Sequence, residues 1–312
     1  MSVRTLGVGI SLVAGLLGCG DGGEPAAPAP EAGNSPAEVK AEKPSQSSDK
    51  PGGQTSTQIS SAVPAEYRVP FTEAAITDDV PEGSQLPPPL TMGQRSTAKL
   101  RLGVEQVWAS VHVADPTTGE PLPLKVNVST AEGDFEITLD PKLAPNHVRN
   151  FLALAKVHYF DGLAFERTVR QTSEANSSED AEPFEMVTFG CPMGLAETGR
   201  GHLGYFMLPE FSEKAKHAEG TVGFWREESP ASAGTRMYIT LGPAPVLDGN
   251  FTVIGKVTKG LGVVQKIHRA PTMSDDPASI ASEIPRLPTL IRGTTVYGQP
   301  GDLAVVSDGS VK

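Results

Sequence analysis

Cysteine is nearly absent, with only Cys19 and Cys191 in 312 residues. That excludes a disulfide-stapled scaffold and a thiolate zinc cluster. Positive charge is also short: 26 Lys and Arg stand against 37 Asp and Glu, a formal net charge of −11. A nucleic-acid binder needs a basic footprint, and this composition does not supply one. Long apolar runs are missing except for Leu6 to Leu17 near the start, which is too short to span a bilayer. The chain is instead rich in turn formers. Its 33 Gly and 28 Pro are about a fifth of all residues, which points to loops, linkers and β structure rather than a helical bundle.

The N-terminal run has the build of an export signal. Arg4 supplies a positive n-region, and residues 6–17 have the length of a signal-peptide h-region. The string Leu16-Leu17-Gly18-Cys19 resembles the lipobox of bacterial lipoproteins, in which the Cys thiol is acylated and becomes the mature N-terminus. The expectation is a signal peptide over 1–18, lipidation at Cys19 and an extracytoplasmic face of the cell envelope. Gly20 after the Cys favours the outer membrane in a cell that has one. More than one acyl chain gives stable anchoring. Cys191 then has no partner for an internal disulfide and is expected to be a buried small apolar residue. Residues 20–64 hold no aromatic residue, Leu or Met. Such a segment cannot bury enough apolar area to offset its ordering entropy, so 19–64 reads as a disordered tether.

Residues 65–121 read as an extension with one amphipathic helix. Tyr67, Val69, Phe71, Ile76 and Leu86 are candidates for a strap on the domain that follows. Leu100, Val104, Val107, Trp108 and Val111 then recur on one face of a helix, with Ser96 or Thr97 as cap and Asp115-Pro116 as the expected end. From Leu122 the period becomes two. Leu124, Val126 and Val128 form one strand and Phe135, Ile137 and Leu139 the next, across a turn at Glu132-Gly133. Pro145 and Asn146 open a helix carrying Val148, Phe151, Leu152 and Ala155. Strand-like runs follow at 164–168, 185–189, 221–225, 236–241, 251–257 and 288–296, with a short helix around Val263, Val264 and Ile267. Eight strands and two helices over 122–298 predict a mainly β fold: a closed eight-stranded antiparallel barrel with capping helices, followed by a tail over 299–312.

The stretch Ala144-Pro145-Asn146-His147-Val148-Arg149-Asn150-Phe151-Leu152, then Tyr159 to Arg167, resembles the opening of a cyclophilin domain. Glu210-Phe211, His217 to Thr221, Leu247-Asp248-Gly249 and Phe251 to Val257 match later landmarks of that family in order, so the resemblance covers about residues 123–298. It implies a cyclophilin-like barrel, peptidyl-prolyl cis-trans isomerase activity, no cofactor, and Xaa-Pro-containing polypeptides as partners. A monomer is expected, and neither nucleic acid nor a metal. The six histidines lack the spacing of a zinc hydrolase, and the glycines from Gly190 to Gly204 read as turns rather than a phosphate loop.

By position, Arg167 matches the family's catalytic arginine. The substrate pocket maps onto Phe184 or Glu185, Met186, Thr188, Trp225, Arg236, Tyr238, Leu247 and Phe251. Several positions depart from the family pattern. Glu166 replaces a histidine, Thr188 and Arg236 replace glutamines, and Trp225-Arg226 replaces an Ala-Asn pair. Val246 replaces the Trp of drug-sensitive members. An acidic insertion, 171–183, follows Arg167 and is a candidate to restrain Arg167 or Arg236. Two functions stay open at this point: a prolyl isomerase for envelope proteins, and a catalytically weak or inactive module that binds Pro-containing peptides or a protein partner.

Overall fold

The computed structural model describes residues 76–80, 94–171, 184–194, 201–277 and 279–301, with backbone only for 94–97 and 171. All of them fall in one compact unit, Gly53–Lys312. The expected signal peptide, Cys19, the tether, Tyr67, Val69, Phe71, Leu86, the side chains of Ser96 and Thr97, and the insertion beyond Gln171 lie outside the described residues, as does the tail beyond Gly301.

The hairpin forms as its alternation dictates. Strands β1 (Lys125–Thr130) and β2 (Gly133–Leu139) pair from Lys125 opposite Thr138 to Thr130 opposite Gly133. The turn falls at Ala131-Glu132, one residue earlier than expected, because Thr130 Oγ1 donates to the Gly133 carbonyl and accepts from the Glu132 N–H. Val126, Val128, Phe135 and Ile137 are fully buried on one face, each worth about 1.5–3 kcal/mol.

Helix α1 (Gln94–Trp108) stops well short of Asp115. The Ser110 hydroxyl and N–H both turn back to the Val107 carbonyl, and Val111 and Val113 enter the core from non-helical chain. Helix α2 (Pro145–Lys156) is buried from Pro145 to Ala155. Its Ncap residue, Ala144, has no side-chain acceptor to cap it. The Asn146 and His147 N–H groups donate instead to the buried Glu210 carboxylate, at 3.1 and 2.9 Å. A negative charge there satisfies orphan donors and complements the helix dipole. The Arg149 guanidinium lies over the Trp108 ring at 4.9 Å and ties α1 to α2, while Trp108 Nε1 donates to the Thr77 carbonyl of the segment that includes Ile76.

The remaining strands are β3 (Phe165–Gln171), β4 (Phe184–Phe189), β5 (Thr221–Phe224), β6 (Met237–Thr240), β7 (Thr252–Lys259) and β8 (Ile291–Tyr297); helix α3 (Leu261–His268) precedes β8. All pairings are antiparallel, in the order β3-β4-β6-β5-β7-β2-β1-β8. The expected closed barrel is instead an open half-barrel. No ladder joins β3 to β8, and their ends meet only at the Ala164–Leu290 bridge and its flanking backbone hydrogen bonds. The chain before β8 carries Pro271, Pro277, Pro285 and Pro288, and proline cannot donate to a ladder. The 3-10 turn Ile280–Glu283 packs on β3 instead.

The sheet separates two apolar clusters. Phe135, Ile137, Phe165, Val187, Phe189, Met237 and Ile239 face the main core with α2. Val169, Met186, Tyr238, Ala244, Leu247 and Phe251 gather separately, with Phe184 and Trp225 packed against them.

Candidate active site

The site begins with a β-bulge. Phe165 pairs with Phe189, but the next register pair is Arg167 with Thr188, leaving Glu166 as the extra residue. One inserted residue switches the phase of a strand. Phe165 therefore faces the main core, while Val169 joins the second cluster. Arg167 and Val169 sit opposite Thr188 and Met186, and Thr188 sits opposite Tyr238, so all five share one face. The Arg167 side chain is 13% exposed. Its Nε donates to Glu283 Oε2 at 2.8 Å, and its Nη2 donates to the same oxygen.

Beside it lies the apolar floor. Phe251 packs edge-on to Tyr238, with centroids 5.9 Å apart, and meets the Trp225 ring at 5.4 Å. The Arg226 guanidinium lies over the Phe251 ring at 4.8 Å and is held by the Asn250 carbonyl. Phe184 packs against the cluster, whereas Glu185, the alternative from sequence, is exposed.

Tyr238 is fixed from behind. Its hydroxyl lies 2.6 Å from His217 Nε2, and His217 Nδ1 lies 2.9 Å from Asp248 Oδ1. Burial lowers the His217 pKa, against the pull of Asp248. Neutral His217 then donates from Nδ1 and accepts at Nε2, so the tyrosine hydroxyl donates. Burial pushes the Tyr238 phenol well above its usual range. Asp248 is raised by burial, but hydrogen bonds from the His217 side chain and backbone outweigh this and hold it low. Gly223, opposite Tyr238 in β5, makes room: a Cβ there would stand 2.3 Å from the hydroxyl oxygen.

The two departures flanking the arginine pair with each other. Glu166 Oε1 lies 3.2 Å from Arg236 Nε and accepts from Thr188 Oγ1 at 3.4 Å. Arg236 also faces Glu227 at 3.6 Å. Burial raises the Glu166 pKa to about 7, although Arg236 opposes the shift. Arg236, expected to meet substrate, is thus a buried ion-pair partner. It shares a cleft of about 10 Å³ with Gly201, His202, Phe206, Trp225, Glu227 and Ser232. Thr188 likewise turns its hydroxyl to Glu166. The acidic partners seen for Arg167 and Arg236 are Glu283, Glu166 and Glu227; the acidic part of the insertion lies outside the described residues.

Sequence reasoning named Phe184, Met186, Trp225, Tyr238, Leu247 and Phe251, which gather in one cluster, and Arg167, which shares a sheet face with Met186 and Tyr238. It missed Glu283, 116 residues from its partner and in no motif, and it missed Val169, Ala244 and the role of Gly223. Cys191 is buried, as expected.

Comparison with known proteins gives a match over residues 125–287 to the family model described as cyclophilin type peptidyl-prolyl cis-trans isomerase. A probable peptidyl-prolyl cis-trans isomerase of Brucella suis is 32% identical over 160 residues, covering 50% of this chain and 74% of the relative. Peptidyl-prolyl cis-trans isomerase-like 1 of Neurospora crassa is 30% identical over 151 residues, covering 48% and 85%. Among solved structures, a cyclophilin type isomerase of Cryptosporidium parvum aligns with a TM-score of 0.46 at 22% identity, covering 55% of this chain and 96% of that one. The family model takes in the bulged strand, the apolar cluster and the Glu283 turn alike, and the chain belongs to the cyclophilin-type peptidyl-prolyl cis-trans isomerase family.

Proposed function

We propose that this chain isomerises Xaa-Pro bonds, with Arg167 acting on the reacting amide and the second apolar cluster holding the prolyl ring. The observation that carries this reading is the bulge at Glu166, which gives Arg167 the same sheet face as Val169, Met186 and Tyr238. Amide resonance sets a barrier of about 18–20 kcal/mol to rotation. No covalent step is needed to lower it. As the amide twists, its nitrogen turns pyramidal and gains a lone pair. A fixed guanidinium N–H stabilises that lone pair more than it stabilises the planar ground state, which is differential binding of the transition state. Arginine suits the task because its charge is permanent and its donors lie in a rigid plane. Met186, Leu247 and Phe251 offer an apolar seat for the ring, with Phe184 and Trp225 at its edge.

The proposed substrates are proline-containing segments of envelope proteins. The proposed location is the extracytoplasmic face of a membrane, held by lipid on Cys19. That part rests on residues 4–19 alone: a positive start, an apolar run and the Leu-Leu-Gly-Cys string. Exchange NMR on a short Xaa-Pro peptide with the full chain tests the activity. Faster cis-trans exchange is the expected result, and peptide shift changes without faster exchange would assign the chain to the binding module instead. Fatty-acid labelling of the wild type, abolished in Cys19→Ser, is expected for the anchor; equal labelling of both would remove it.

A further inference from the structure

Arg167 extends from the face of β3 next to a pocket whose other residues are largely apolar, and nothing on β4 holds its guanidinium. The residue opposite in the ladder is Thr188, whose hydroxyl goes to Glu166. A long arginine side chain carries several rotamers, so an unbraced guanidinium would spend much of its time out of reach of a twisted amide. The brace comes from elsewhere. Glu283 Oε2 accepts from both Nε and Nη2 of Arg167. One carboxylate oxygen taking two charge-assisted N–H bonds from the same edge of a guanidinium pins that edge in place. Among the described residues, two of the five N–H donors are used, by Glu283, which leaves the Nη1 pair and the second Nη2 hydrogen to meet the peptide.

The carboxylate is itself held in place. Residues 271–277 and 279–286 fold back on one another: Met273 N–H donates to the Ile284 carbonyl at 2.9 Å, Arg286 N–H to the Pro271 carbonyl at 2.9 Å, and Ser274 N–H to the Ala281 carbonyl at 3.2 Å. Ser279 Oγ caps the 3-10 turn by accepting from the Ala281 N–H. Thr168 Oγ1, next to Arg167, reaches the Glu283 carbonyl at 3.4 Å. The turn is thereby tied to β3 through the backbone of Glu283 as well as through its carboxylate. A support made this way is preorganised, and small misplacements of a reacting group cost up to about a hundredfold in rate.

We infer that Glu283 is a positioning residue for the isomerase reaction, holding the Arg167 guanidinium where it meets the twisted prolyl amide. This rests on the isomerase reading above. The test uses the full chain with Glu283→Ala and Glu283→Gln, followed by exchange kinetics, melting temperature and the 15N-resolved Nε–H signal of Arg167. In Glu283→Ala, kcat is expected to fall at least about tenfold with KM changed less than twofold, the signature of an interaction made only in the transition state. Glu283→Gln is expected to recover most of the rate, because its amide oxygen accepts the same two N–H groups. The protected Nε–H signal is expected in the wild type and Glu283→Gln and absent from Glu283→Ala. Unchanged or faster turnover in Glu283→Ala overturns the inference, the faster case meaning that the carboxylate withholds the guanidinium from substrate. So does a rate loss that merely follows the loss of folded protein. A wild type without turnover is a different failure: it overturns the isomerase reading and Glu283's part in it together, and the Nε–H signal then reports only a structural ion pair.

Discussion

Glu166→Gln isolates the charge of one buried carboxyl. Glu166 is the extra residue of the bulge, with its side chain against Arg236 and Thr188. Burial drives its pKa from 4.5 up to about 7, in spite of the arginine. The sign of the effect on stability follows from proton counting. Between about pH 4.5 and 7 the folded chain keeps this proton and the unfolded chain releases it. The stability contributed by the group is therefore complete below the unfolded value and declines as pH rises toward the folded one. A displacement of that size corresponds to about 3 kcal/mol. Glutamine has the shape of the protonated acid and no titration, so the variant should lack this dependence. Urea unfolding of both proteins from pH 4.5 to 8 gives the difference curve. Glu136 and Asp248, whose carboxyls are held low, favour the folded state in the opposite direction, but they are common to both proteins and cancel. The wild type should lose about 3 kcal/mol relative to Glu166→Gln across that range. Parallel curves, or a wild type that gains on the variant as pH rises, would show that Glu166 does not keep its proton in the folded chain. The second result would mean that Arg236 keeps Glu166 ionised and the attraction outweighs desolvation.

Tyr238→Phe removes the hydroxyl that donates to His217 Nε2 and leaves a buried acceptor without a donor, so thermal unfolding should show a loss of about 1–3 kcal/mol. Because that hydroxyl meets His217 behind the floor, kcat/KM should stay within about twofold; a large fall would place the hydroxyl in the reaction. Gly223→Ala sets a Cβ 2.3 Å from the Tyr238 hydroxyl and 2.7 Å from the Thr252 carbonyl oxygen. Denaturation should show destabilisation of about 3 kcal/mol, with a changed near-UV signal from the aromatic floor.

The regular parts of the fold were legible because each repeats a pattern. Val126 and Val128 against Phe135 and Ile137 announce a half-buried hairpin, and Pro145 followed by Val148, Phe151 and Leu152 announces α2. The end of α1 was not legible, since Val111 continues the apolar phase after the chain has left the helix. The barrel does not close where the chain from Leu290 would run back along β3, because Pro285 and Pro288 there lack the N–H that a ladder needs. At the site, Arg167 and the apolar positions follow ordered motifs. Glu166 and Arg236 stood out only as two separate departures, because their pairing depends on a bulge that no local pattern encodes. Glu283 gives no local signal: its partner is 116 residues away, and its role exists only once the turn lies on β3.

On the proposed reading, the Arg167 guanidinium lowers the barrier to prolyl rotation. Exchange NMR of a short Xaa-Pro peptide with the full wild-type chain and with Arg167→Ala decides this. The wild type should speed exchange, and Arg167→Ala should fall by about a hundredfold or more while still shifting the peptide resonances through the apolar floor. Exchange at the wild-type rate in Arg167→Ala would contradict it.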